Sequence, residues 1–273
     1  MAVPVYRSLD DAVRACSDKG YFIKQVSIEM AASIDAEEEG LNAMCSTGVV
    51  RTPEIYCKGT DPGRCIAFLI TEMIDSRQPD SESLSVLGRN FAMMHLCDAE
   101  NFVQGGKYGF LHDNYIGASV QINTPKDSWI DFFRECRLKP QFRMAEKAFD
   151  SRATKDILKL MDRLDDLLIE PEHPSLLHGD MWGGNHLIDR NGEPVLIDPA
   201  AYVGHSEADL AMTEMFSPFP RAFYDGYYEV LPMKNGYSDR RDIYNLYHTL
   251  NHYNIFGGSY LMSALRIIRR FTG

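Results

Sequence analysis

Asp180, Asn185 and Asp198 are the residues whose types and spacing could do chemistry together. The first two sit in His178-Gly-Asp-Met-Trp-Gly-Gly-Asn185, and the third in Ile197-Asp-Pro199, thirteen positions beyond Asn185. A carboxylate can accept the proton of an attacking hydroxyl. An asparagine oxygen can ligate magnesium without adding charge, and a second carboxylate can join magnesium to nucleotide phosphates. Gly, Asp, Asn and Pro also populate ordinary turns, so neither half of the pattern is informative alone. Their combination in the order H-x-D-x-x-x-x-N and then D, with apolar residues on both sides, points to phosphoryl transfer.

Three groups converging on one phosphoryl group need elements that bring them together. His186 to Asp189 and Pro194 to Ile197 read as two short strands around an Asn191-Gly192 turn, a hairpin that returns Asp198 toward Asn185. Upstream, alternation in Tyr21-Phe-Ile-Lys-Gln-Val26 puts Phe22, Lys24 and Val26 on one face of a strand. A helix predicted from Glu29 to Ser46 follows and carries Asp35, Glu37, Glu38 and Glu39. Kinases hold nucleotide phosphates with such a strand lysine and helix glutamate; Glu37, four residues before Leu41, is the candidate partner of Lys24. Strands at 54–58 and 66–71 then run into Glu72-Met73-Ile74, a linker whose backbone can read an adenine edge while Met73 lines the pocket.

The rest of the chain reads as mainly helical. Helices are predicted at 81–97, 127–149, 153–169, 220–230, 239–256 and 259–271, with another starting near Ser206 as its cap. That helical context denies His205, Glu207 and Asp209 the alternation a shared metal site would need. The stretch 102–124 is irregular, glycine-rich and aromatic, which argues for a functional loop. In the 127–149 helix, Trp129, Phe132, Phe133 and Cys136 supply apolar surface, and Arg137, Lys139 and Arg143 make the far end basic. The expected fold class is α+β with two lobes: a small antiparallel sheet and linker at 1–74, and a larger, mainly helical lobe at 75–273.

Composition narrows the partners. The 273 residues carry 28 Lys plus Arg against 39 Asp plus Glu, a net charge of −11, and no dense basic run, so no nucleic-acid partner is expected. No window approaches a membrane span and the start lacks a signal-peptide pattern, so a soluble, cytoplasmic protein without a membrane partner is expected. Six cysteines without metal or disulfide spacing fit reduced thiols. Oligomeric state is not legible.

Beyond the catalytic pattern, the sequence resembles the fructosamine (ketosamine) 3-kinases, relatives of aminoglycoside and choline kinases, over roughly residues 21–271. The resemblance rests on "HGDMWGGN", "LIDPAAYVGHSEADLAM", "YGFLHDNYIG", "DSWIDFFRECRLKPQ" and "YNLYHTLNHYNIFGGSY". It implies a protein-kinase-like fold, ATP and Mg2+ as cofactors, and phosphorylation of the 3-hydroxyl of ketosamines on glycated proteins or small amines. The resulting 3-phosphate is a good leaving group, so the amine is freed. Residue by residue, the resemblance makes Asp180 the proton acceptor and Asn185 and Asp198 the magnesium ligands. Lys24 and Glu37 become the phosphate-positioning pair, and Glu72, Met73 and Ile74 the adenine linker. Trp182, two residues after Asp180, is expected beside the acceptor, where its flat apolar face suits a sugar. A small-molecule kinase of aminoglycoside or choline type and a nucleotide-binding pseudokinase are the alternative readings.

The family pattern has a first strand and a phosphate-covering loop ahead of the strand that here starts near Val3. The expectation is therefore an open strand edge at Val3 to Ser8 and weak ATP binding, unless Asp10 to Lys19 folds over the nucleotide.

Overall fold

Residues 3–273 are described by a computed structural model. The first lobe is built from β1 (Val5–Tyr6), α1 (Leu9–Ala15), β2 (Tyr21–Ser27), α2 (Ala31–Ser46), β3 (Ile55–Asp61) and β4 (Ile66–Glu72). Its sheet runs in the order β1-β3-β4-β2. Lys24 on β2 and Lys58 on β3 both lie opposite Leu69 of β4, so they share the face turned toward α2. Ile23, Cys57, Phe68 and Ile70 take the other face. Strand alternation thus places Lys24 as expected.

Three expectations for this lobe are corrected. The sheet is not wholly antiparallel, because β1 pairs with β3 in parallel over two residues only. The strand cannot run on to Ser8, whose hydroxyl caps α1 by accepting from the Asp11 N–H. Nor does Asp10 to Lys19 cover the nucleotide: Leu9, Ala12 and Cys16 bury themselves against Cys57, Phe68 and Ile70 on the back of the sheet. Among the described residues β1 does stand at one edge of the sheet, where Val3 to Ser8 was expected, and β2, which carries Lys24, is the other edge.

Beyond the linker come β5 (Ser76–Arg77), α3 (Ser81–Leu96), β6 (Asn114–Ile116) and β7 (Ser119–Gln121). The expected irregular loop at 102–124 therefore contains a small hairpin. Next are α4 (Trp129–Phe132), a π-helical turn over Phe133–Leu138, and α5 (Lys139–Met144). The single helix expected at 127–149 is interrupted because Pro140 has no N–H for the carbonyl of Cys136. The Arg137 side chain donates to that carbonyl instead, at 3.1 Å.

The remaining elements are α6 (Ser151–Asp162), α7 (Leu164–Leu167), β8 (Ser175–Leu177), β9 (His186–Asp189), β10 (Pro194–Leu196) and β11 (Tyr202–Gly204). They are followed by α8 (Ser206–Thr213), α9 (Arg221–Val230), α10 (Tyr237–Phe256) and α11 (Tyr260–Thr272). The predicted hairpin is β9 paired with β10, with Leu187 opposite Val195. Ser206 is the first residue of α8, and the cap position belongs to His205, whose side chain bonds elsewhere.

The helical lobe is organised around α3, which starts at an Asp80–Ser83 capping box and buries Leu84, Leu87, Phe91 and Met94. Its close partner is α9. A Cβ on Gly88 would lie 1.9 Å from the Phe223 carbonyl oxygen, and one on Gly226 would lie 2.1 Å from the Ser85 carbonyl oxygen. The two helices therefore touch backbone to backbone at a pair of reciprocal glycines.

Gly88→Ala should push α3 and α9 apart. Overpacking of this kind costs about 1 to 3 kcal/mol, read as a fall in the denaturant midpoint with an unchanged slope. A midpoint equal to wild type would show that the helices separate at no cost.

Candidate active site

The candidate catalytic loop leaves β8 at His178 and reaches β9 at His186. It has no ladder of its own, so its backbone donors must be satisfied elsewhere. Asp209 on α8 does this: its carboxylate accepts the N–H of His178 at 2.6 Å and of Gly179 at 2.8 Å. His95 on α3 braces the same carboxylate through Nε2 at 3.2 Å and holds the Tyr227 hydroxyl through Nδ1. Burial alone would raise the Asp209 carboxyl, but the bonds from His95 and Gly179 and the nearby histidines outweigh it and hold it below the ordinary range.

A second set of bonds sews the catalytic loop to the segment bearing Asp198. His178 Nδ1 accepts from the Asp180 N–H, which leaves Nε2 as the donor to the Ile197 carbonyl at 2.9 Å. Burial keeps this imidazole neutral by pushing its pKa down. Backbone bonds from Ala200 N–H to His178 O (2.9 Å) and from Ile197 N–H to Asn185 O (3.1 Å) complete the seam. Gly179 permits it: with φ at +81° it lets the Ala200 carbonyl approach to where a Cβ would be 2.0 Å away. The sequence-predicted trio is thereby brought together.

Asp180, Asn185 and Asp198 line one cavity of about 440 Å³ with Lys24, Glu37, Tyr115, Gly117 and Ala118. Burial pushes the Asp180 carboxyl up to about 7, against the opposing hydrogen bond from Asn185, a value suited to proton acceptance near neutral pH. Asn185 spends its amide N–H groups on Asp180, at 2.8 Å to the carbonyl and 3.3 Å to the carboxylate. That orientation leaves its Oδ1 free as a neutral ligand. Asp198 has φ at +54°, a left-handed conformation of the kind that strained functional residues adopt.

Lys24 bridges the lobes, 2.6 Å from Glu37 and 2.7 Å from Asp198. Burial would lower its pKa, but Glu37 and Asp198 together outweigh that and raise it, so the ammonium is charged. Oxygen donors from Asn185 and Asp198 fit a hard divalent cation that fills its shell with water and phosphate oxygens. A larger groove, about 670 Å³, lies along α2 between Asp35, Glu38 and Glu39 and the segment Phe110–Asp113, and it holds none of these groups.

Other predicted site residues fall elsewhere. Glu72 turns its carboxylate to Arg51 and the Glu54 N–H, and its own N–H goes to the Glu54 carbonyl. The Met73 N–H is given to Gly20 O at 3.1 Å, while its side chain is exposed. The Glu72 carbonyl accepts from the Thr71 hydroxyl, so of the linker the Ile74 N–H and the carbonyls of Met73 and Ile74 are what remain to read a base. Trp182 is 44% exposed and lines an adjoining depression with His186, Phe216 and Phe219 rather than the Asp180 cavity. Its indole lies so close to Gly184 that a Cβ there would be 2.4 Å away. His205, Glu207 and Asp209 do not converge. His205 bonds Tyr244, Glu207 holds Arg240 with both oxygens, and Asp209 anchors the loop.

Sequence reasoning missed three contributors. Asp209 was legible only as an acid near a helix start, and His178 only as part of a motif. Arg51 gave no signal, yet it joins Glu72 at the end of β4 to Asp189 (3.2 Å) and Glu193 (3.7 Å) of the hairpin.

Asp209→Ala should leave two buried N–H groups without acceptors, each worth about 1 to 3 kcal/mol, and should slow turnover more than it weakens nucleotide binding. A depressed folded-state pKa stabilises above the unfolded value and is lost as pH falls through the folded one. The variant should therefore lose stability at neutral pH and converge with wild type only on the acid side of the ordinary carboxylate range. Parallel pH–stability curves would contradict this.

Comparison with known proteins agrees with the geometry. The sequence profile "Fructosamine kinase" matches residues 9–272. The chain is 40% identical over 256 residues to the chloroplastic protein-ribulosamine 3-kinase of Arabidopsis thaliana, covering 91% of this chain and 74% of that one. It is 37% identical over 254 residues to a Synechocystis protein described as a ketoamine kinase, covering 93% and 83%. A crystal structure from Thermobifida fusca, described as a fructosamine-3-kinase, superposes with a TM-score of 0.79 at 32% identity over 91% of this chain and 84% of that one. An aminoglycoside phosphotransferase, APH(4)-Ia, shares the fold at a TM-score of 0.62 and 16% identity over 93% and 88% of the two chains. With a two-lobed protein-kinase-like fold and a profile match across nearly its whole length, the chain belongs to the fructosamine kinase family.

Proposed function

We propose that the protein is an ATP-dependent kinase that phosphorylates the 3-hydroxyl of ketosamines carried by glycated proteins or small amines. The observation that carries this reading is the single cavity shared by Asp180, Asn185, Asp198 and the Lys24–Glu37 pair, in a chain of this family. Lys24, held by Glu37, neutralises nucleotide phosphate oxygens. Asp180 orients the acceptor hydroxyl and takes its proton as the hydroxyl oxygen bonds the γ-phosphorus and the bond from that phosphorus to the β–γ bridging oxygen breaks, releasing ADP. Asn185 and Asp198 would hold Mg2+, which supplies charge neutralisation on the phosphates when bound.

Adenine is assigned to the linker at Glu72, Met73 and Ile74, read through the backbone, and the lobe boundary to 74/75. Trp182 is assigned to the entrance, against the sugar face or the amine-bearing chain. Among the described residues no helix is long and apolar enough to cross a membrane. A cytoplasmic setting suits the six cysteines, all of which stand as free thiols. No nucleic-acid or membrane partner is assigned, which accords with the net charge of −11.

Asp180→Asn should cut turnover about 10²- to 10⁴-fold while ATP affinity stays within a few fold, measured with ribulosamine-lysine and by nucleotide titration. Unchanged turnover would remove Asp180 from the reaction. Trp182→Phe should raise KM for the ketosamine more than for ATP; equal rises, or lost stability alone, would assign the indole to packing. Phosphorylation of choline or an aminoglycoside without ketosamine activity would overturn the substrate class.

A further inference from the structure

Arg137 is fully buried, and none of the ion pairs among the described residues includes it. Its guanidinium lies 3.9 Å from the Tyr202 ring centroid and 4.6 Å from that of Phe132. It donates to the carbonyls of Ile122 and Cys136 and, at 2.9 Å, to Asn123 Oδ1, while Nε has no partner. A buried cation without a carboxylate is costly. What it holds is a ladder of amides. Asn123 Nδ2 donates to Asn114 Oδ1 at 3.0 Å, and Gln121 Nε2 donates to the same oxygen at 2.8 Å. Asn114 and Gln121 then reach the carbonyls of Ala201 (2.7 Å) and Ala200 (2.9 Å), just past Asp198. The Tyr247 hydroxyl closes the ladder by donating to Gln121 Oε1 at 2.9 Å.

The two ends of this ladder differ in how firmly they are otherwise held. Ala200 is already fixed by its bond to His178 O and by close packing on Gly179. The β6–β7 hairpin also buries Ile116 in the core and packs on α2, but its other polar ties are few: a 3.5 Å bond from Asn251 to Ile116 O, with Gly117 approaching Ile255 at the tip. That tip and Tyr115 form the wall of the cavity that also holds Asp180, whereas the linker residues Glu72 to Ile74 do not line it. The hairpin therefore borders the phosphate and acceptor end of the site.

We propose that Arg137 is a positioning residue for the acceptor: through Asn123, Asn114 and Gln121 it sets the β6–β7 hairpin, with Tyr115, Gly117 and Ala118, at a fixed distance from Asp180. Its effect on substrate rests on the ketosamine kinase reading. Its effect on the hairpin does not. Loosening the ladder moves the wall and leaves Lys24 and Asp198 in place, so acceptor and nucleotide respond differently.

Two variants test it. Arg137→Lys keeps the charge and loses the planar fork. Asn123→Asp gives Arg137 a counterion and removes the amide donor to Asn114 Oδ1 and His112 O. In both, kcat/KM for ribulosamine-lysine should fall about 10- to 100-fold, as expected for a small misplacement of a reactant. The KM for ATP should stay within about twofold, since Lys24 and Asp198 are fixed independently of the hairpin, and Asn123→Asp, which keeps a partner for the guanidinium, should lower the thermal midpoint less than Arg137→Lys. Hydrogen exchange on the substrate-free protein should speed up at Asn114–Gln121 and stay unchanged at Leu176–Met181. Equal rises in both KM values, lost stability with kinetics intact, or unaltered hairpin exchange would overturn the proposal. Wild type without ketosamine activity but with the exchange pattern would refute the substrate reading and leave the hairpin assignment standing.

Discussion

A single buried carboxylate governs the active site. The candidate catalytic loop begins as irregular, buried backbone at His178 and Gly179, where every unmet N–H costs free energy. Asp209 meets two of those donors at once. Because α8 carries Asp209 and α3 carries His95, the geometry of the loop inherits the rigidity of two packed helices. The seam from His178 to Ile197 and Ala200 passes that rigidity on to Asp198. Catalytic position here is a consequence of core packing, transmitted through hydrogen bonds that have no alternative partners.

Much of this was legible in the sequence where chemistry and local structure coincide. Asp180, Asn185 and Asp198 announce themselves because their spacing is set by one loop and one hairpin, both short enough for local signals to define. Lys24 was legible because strand alternation fixes its face. Its pairing with Glu37 rather than Asp35 or Glu38, which go to Lys58, follows from the way α2 crosses the sheet. Helical periodicity of about 3.6 residues narrows such a choice, and only packing settles it.

What stayed hidden was tertiary in origin. The β6–β7 strands have three residues each, too few for alternation to register. Arg137 read as part of a basic helix end, because nothing local says that Pro140 opens the helix and turns the guanidinium inward. Glu72 occupies the linker as expected, but its side chain serves Arg51, a partner 21 positions earlier, and so supports the joint between lobes. Val3 to Ser8 looked like a strand of ordinary length until the cap at Ser8 claimed its last residue for α1.

Lys24 contacts Asp198 as well as Glu37, and this gives the substrate-free cavity an electrostatic character of its own. One ammonium faces Glu37 and Asp198, with Asp180 beside them, so the cavity offers an incoming polyanion more repulsion than attraction. A bare triphosphate would have to separate Lys24 from Asp198 and leave that carboxylate uncompensated. A triphosphate that enters with a divalent cation exchanges partners instead: the phosphates take the ammonium as the cation takes the carboxylate. On the proposed reading nucleotide and cation would be thermodynamically coupled, each raising the other's affinity by the same factor. On that reading one lysine, passed from Asp198 to the phosphates, would make the nucleotide and its counterion behave as a single ligand.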